Sequence, residues 1–140
     1  MDQFDIILNV RGSHVEGDEE NTLELFTEGL LTRENGTYII EYDESEISGM
    51  ENTKTRLTIN GDNVSLKRMG MLETEFVFSK KQMYEAAYKT PYGMMQMTVL
   101  PTQVMSDLSD EKGHIDLEYV INVGEQSAIN RLNIDYKLRS

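Results

Sequence analysis

Apolar and polar residues alternate one by one along most of this chain, and that two-residue beat limits what it can fold into. Phe4, Ile6, Leu8 and Val10 share one face, while Asp5, Asn9 and Arg11 share the other, with Ile7 the exception. Ile115, Leu117, Tyr119, Ile121 and Val123 form the longest such face, and Leu132, Ile134, Tyr136 and Leu138 another. Successive side chains of a strand point to opposite sides, so this period predicts half-buried β-strands. No stretch holds a 3.6-residue period over three turns.

The stretch Tyr38 to Asn60 shows the rule at its clearest. Tyr38, Ile40 and Tyr42 share a face that Glu44 continues; Thr55, Leu57 and Ile59 share the next, opposite Lys54, Arg56 and Thr58. Asn35-Gly36 precedes this stretch and Asn60-Gly61-Asp62 follows it. Asn-Gly populates the positive-φ pair of a two-residue hairpin, so both sites predict tight reversals. Beyond them Val64 and Leu66 face inward with Arg68 in phase, and Phe76 and Phe78 share one side. Ser13 to Asn21 is expected to be an acidic turn or loop, and Gly29 a bulge or barrel corner. Ser45 to Asn52 is expected to be a loop or bent strand. Thr90-Pro91-Tyr92-Gly93 and Asp110-Glu111-Lys112-Gly113 are expected to be turns. Pro101 predicts an edge or bulge after the apolar strand Met94 to Leu100, with a short further strand over Val104 to Leu108.

These strands number about eight to ten, with links too short for parallel crossovers. The expected fold is all-β: an antiparallel meander that hides its edges by closing into a barrel. Residues 1–140 read as a single domain, long enough to bury a self-supporting core. The chain has no cysteine, so no disulfide supports it; this suits a reducing compartment. The N-terminal MDQFDIILNVRG has no basic region or uninterrupted apolar stretch, and no run approaches a membrane span. A cytoplasmic location is expected. The net charge of −12 argues against nucleic acid and against anionic membrane surfaces as partners.

The run Glu41-Tyr42-Asp43-Glu44-Ser45-Glu46, then Ser48-Gly49-Met50-Glu51 and Thr53 with Thr55, resembles the signature region of the YwiB family of bacterial proteins. Thr90-Pro91-Tyr92-Gly93 and Leu117-Glu118-Tyr119 fit the same pattern, and the likeness spans the chain. The resemblance implies a calycin-like barrel of lipocalin shape, and it implies no activity.

The candidate site follows from register. If Tyr42 faces inward, Glu44 lies at the rim on the same side, and Arg68 is brought in with Val64 and Leu66. An unpaired charge taken inside is costly, so Arg68 is expected to pair with Glu44 or Glu46 at one mouth of the barrel, beside Tyr42. Tyr42, Glu44, Glu46 and Arg68 are therefore the expected ligand-binding residues, holding the polar head of a small amphipathic molecule. The plainer alternative is an ion pair that fixes register. The nine methionines are read chiefly as core filling, Met94 to Met97 above all. His14 and His114 flank turns and are expected in solvent. Glu16-Gly17-Asp18-Glu19-Glu20 lacks calcium-loop spacing and reads as solvated acid. No catalytic set, metal site or cofactor is nominated. A non-enzymatic barrel that binds a small molecule or serves a structural role ranks first. A protein-interaction or homodimer module using Phe26, Ile7 and Met69 comes next, and an enzyme using the Glu44 and Glu46 carboxylates ranks last.

Overall fold

The computed structural model describes residues 2–44, 53–61, 63–70, 73–79, 83–90, 93–123 and 126–139, with side chains at 74 and 86–90 excepted. Among the described residues ten strands follow one another: β1 (Asp2–Glu16), β2 (Glu19–Glu34), β3 (Thr37–Asp43), β4 (Lys54–Asn60), β5 (Asn63–Met69), β6 (Thr74–Phe78), β7 (Tyr84–Thr90), β8 (Gly93–Leu108), β9 (Lys112–Val123) and β10 (Gln126–Leu138). They form one antiparallel sheet in the order β6-β5-β4-β3-β2-β1-β10-β9-β8-β7. Every neighbour in that order is a sequence neighbour except β1 and β10, which pair from Ile6↔Leu138 to Val15↔Ile129. The sheet curls so that its outer strands β6 and β7 lie side by side, with no ladder between them among the described residues. The result is a nearly closed barrel.

The alternating faces sort as the sequence predicts. Ile6, Leu8, Leu31, Ile40, Leu57, Leu66, Phe78, Ile115, Leu117 and Ile134 are fully buried within it. Phe76, Phe78 and Tyr119 form an aromatic cluster there, with ring centroids 4.8 to 6.2 Å apart. Outside, acids and arginines meet across strands. Arg56 faces Glu41, Arg131 faces Glu118 and Arg33 faces Asp2 in direct register, each pair joined as an ion pair.

Several expectations need correction. Ser13 to Asn21 is no loop: β1 and β2 continue to a tight hairpin closed by Glu16↔Glu19, with Gly17 at φ +60°. The acidic side chains had masked a two-residue Gly-Asp reversal. Asn35-Gly36 turns as expected, at φ +52° and +82°. At the second site Asn60 pairs with Asn63, so the chain reverses there as expected too, with Gly61 at φ +62°. Gly29 is no bulge, since the β1–β2 register runs through it unbroken. It is instead a place of close approach: a Cβ there would lie 2.6 Å from Leu8 Cδ1 and 3.3 Å from Tyr42 Cβ. Pro101 does mark a bulge, with the register shifting between Pro101 and Gln103, but the strand carries on to Leu108 rather than restarting. Gly113 belongs to β9 rather than to a turn; the Tyr136 ring occupies the space its side chain would need. Of the methionines read as core, Met97 is buried, whereas Met83, Met94, Met95 and Met105 are exposed. The segment Ser45 to Asn52 lies outside the described residues.

Candidate functional site

Three neighbouring strands build the site. Tyr42 on β3 faces Thr55 on β4, and Thr55 faces Arg68 on β5, so the three stand in one row across the inner wall. The row continues through Gly29 on β2 to Ile6 on β1. Tyr42 is 3% exposed and Thr55 0%. Glu44 follows two residues beyond Tyr42 and is 8% exposed, its backbone N–H donating to Thr53 O at 2.8 Å. The inward phase expected for Tyr42, Glu44 and Arg68 is therefore observed; Glu46 lies outside the described residues.

The expected ion pair is not formed between Glu44 and Arg68. The Glu44 Oε1 instead accepts a hydrogen bond from Thr55 Oγ1 at 2.7 Å. Thr55, the direct cross-strand neighbour of Arg68, supplies a donor on the same wall, and a short hydroxyl reaches the carboxylate at little entropic cost. Among the described residues Arg68 Nε is shut off from solvent and has no hydrogen-bond partner; the Tyr42 hydroxyl is likewise sealed, and Glu44 and Thr55, near enough to act on its pKa, make no well-formed hydrogen bond with it.

Arg68 stands apart from the other five arginines. Arg11 is bound to Asp135 at 2.6 Å, Arg33 to Asp2 at 2.6 Å and also to Asp110, Arg56 to Glu41 at 3.2 Å, Arg131 to Glu118 at 2.8 Å, and Arg139 to Glu28 at 3.2 Å. Arg68 alone has no carboxylate among the described residues. Its charge is felt inside the barrel by two phenols, Tyr42 and Tyr119. Burial raises the pKa of Tyr42 first; the Glu44 charge raises it further and the Arg68 charge opposes both. Tyr119 is likewise raised by burial and pulled back by Arg68. Both phenols hence keep their protons well above neutral pH.

Both histidines lie within strands close to their turns, with side chains still 44% and 43% exposed, and each is held by a cross-strand neighbour. His14 Nδ1 lies 2.7 Å from Asn130 Oδ1, and His114 Nδ1 lies 2.6 Å from Asp135 Oδ1. Cross-strand partners this far apart in sequence leave no local motif, so sequence reasoning missed them. The Asp135 carboxylate joins Arg11 and His114 on the outer wall, next to a cleft that includes Lys112, Tyr136 and Lys137.

A family model described as "Domain of unknown function (DUF1934)" matches residues 8–139. The chain belongs to the DUF1934 family. Among curated proteins, this DUF1934 chain is 25% identical over 134 residues to the "Uncharacterized beta-barrel protein YwiB" of Bacillus subtilis (strain 168), covering 94% of this chain and 92% of that one. It is also similar to the crystal structure of the ywiB protein from Bacillus subtilis, with a TM-score of 0.87 and 22% identity over 99% of this chain and 94% of the other. That likeness extends the barrel architecture to both proteins. The YwiB resemblance expected from the Glu41 to Thr55 motifs is thus confirmed.

Proposed function

We propose that this DUF1934 barrel is a non-enzymatic binding protein that takes the polar head of a small amphipathic molecule at the Tyr42, Glu44 and Arg68 end. Glu46 belongs to the same expected set through its place two residues beyond Glu44 in the sequence. The observation that carries the reading is Arg68. In a chain where five arginines out of six hold carboxylates, Arg68 is half-buried, in phase with Val64 and Leu66, with its Nε sealed and unbonded among the described residues. An N–H sealed from water and left without an acceptor costs about 1–3 kcal/mol unless something arrives to meet it. The buried, unbonded Tyr42 hydroxyl in the same row faces the same need. Native mass spectrometry of freshly purified protein tests this. A retained mass that is lost in Arg68→Met supports the reading; a bare chain from every preparation, with no gain in mass from added amphiphiles, refutes it.

A second reading rests on Phe26, which is 68% exposed on the outer wall with Ile7 on the adjoining strand. An exposed phenylalanine of this kind suits a homodimer contact. Light scattering after size-exclusion chromatography decides it: a dimer mass that falls to the monomer in Phe26→Ser supports it, and a monomer at high concentration removes it.

A further inference from the structure

We infer that the head group accepted at this end is a monoanionic carboxylate, held between the Arg68 guanidinium and the Tyr42 hydroxyl. The inference rests on the binding function just proposed and narrows it to one ligand chemistry. Both unmet groups are donors. Among the described residues Arg68 Nε carries an N–H without an acceptor, and the Tyr42 phenol, with Glu44 and Thr55 near it, has no well-formed hydrogen bond. A ligand that satisfied both must therefore present acceptor oxygens. A neutral carbonyl would answer the hydrogen bonds but leave the guanidinium charge uncompensated, whereas an anionic oxygen answers both through charge-assisted bonds.

Glu44 sets the upper limit on that charge. Its carboxylate is buried in the wall beside Tyr42, close enough for its charge to act on the phenol. Two negative charges on the incoming group would meet this fixed one in a region poor in water, where repulsion is weakly screened. A single charge is tolerated because Thr55 already donates to Glu44 Oε1. Beyond the head group, Arg68 acts on Tyr119, whose ring lies 6.1 Å from Phe76 and 4.8 Å from Phe78. The interior on which the Arg68 charge acts is thus aromatic and buried, which disfavours a second charged group on the ligand.

Isothermal titration of the full chain with octanoate, octanol and octyl phosphate separates the possibilities. Octanoate is expected to bind at least about tenfold more tightly than either analogue, since a site with unmet donors discriminates against ligands that leave them unmet. Arg68→Met is expected to erase that preference. Tyr42→Phe, which keeps the ring and so the packing, is expected to weaken octanoate about fivefold and leave octanol unchanged. If octanol or octyl phosphate binds as tightly as octanoate, or if Arg68→Met keeps the preference, the carboxylate assignment is wrong while small-molecule binding stands. If none of the three binds and native mass spectrometry shows no retained mass, the binding function itself is wrong.

Discussion

Replacing Gly113 by alanine asks whether a missing side chain in β9 is what seats Tyr136. The Tyr136 ring lies where a Cβ on Gly113 would stand, with Cε2, Cζ and Oη the nearest atoms. The residue has no positive φ, so its role is one of space alone. Tyr136 is buried, and its hydroxyl donates to Ser109 O at 2.6 Å, tying β10 to the β8–β9 connection. An added methyl must push the ring aside. Forcing a group into a filled site costs about 1–3 kcal/mol, and losing the hydroxyl bond adds about 1 kcal/mol. Alanine returns about 0.5–1 kcal/mol by restricting the unfolded chain. The net expectation is a loss of about 1–3 kcal/mol, or roughly 3–10 °C in Tm for a chain of this size. Urea unfolding followed by circular dichroism measures it. The same alanine placed in the Tyr136→Leu background should cost far less, because the ring it collides with is gone. A neutral or stabilising Gly113→Ala, or an equal penalty in both backgrounds, would refute the reasoning.

Three further outcomes are expected. Arg68→Met should stabilise the ligand-free protein by about 1–2 kcal/mol in urea unfolding, since an apolar chain of similar length replaces a sealed, unpaired donor; a loss greater than 1 kcal/mol, on the order of one broken hydrogen bond, would show that Arg68 has a partner of its own. Thr55→Val should destabilise by roughly 2 kcal/mol, because it keeps the shape while stripping the buried Glu44 carboxylate of its donor; the same denaturation curve reports it. In alkali, the Tyr136 phenol is pushed up to about 12 from its ordinary value of 10.0, chiefly by burial. The folded state then holds a proton that the unfolded state has released. Stability from this group is complete below pH 10 and is lost as pH rises towards 12. Tyr136→Phe should flatten the decline between those limits without abolishing it, as Tyr42 and Tyr119 are also raised by burial.

The alternation made the fold legible because a sheet with one wet side and one dry side writes its register directly into the sequence. Phase alone points Leu57, Leu66, Leu117 and Ile134 inward, and each is buried. What escaped was decided by distant neighbours. Gly113 looks like part of a turn until Tyr136, twenty-odd residues on, is placed against it. Met94 and Met95 sit in an apolar run, yet they lie at the start of β8, where they are exposed; Met97, further in, is buried. The site was half legible. Phase brought Tyr42, Glu44 and Arg68 to one wall, but phase cannot tell which neighbour a carboxylate chooses, and Glu44 chose the Thr55 hydroxyl.

The union of β1 with β10 has a bearing on how the molecule comes into being. Strand β1 is flanked by β2 almost at once, but its other edge stays bare until β10, spanning Gln126 to Leu138, has been synthesised. On the ribosome, most of the chain must therefore wait with a long hydrogen-bonding edge open to intruders. Completion is slow for a chain this short because its two most distant segments must find each other. A strand-breaking change in β10 should leave nascent chains clumping together rather than merely less stable.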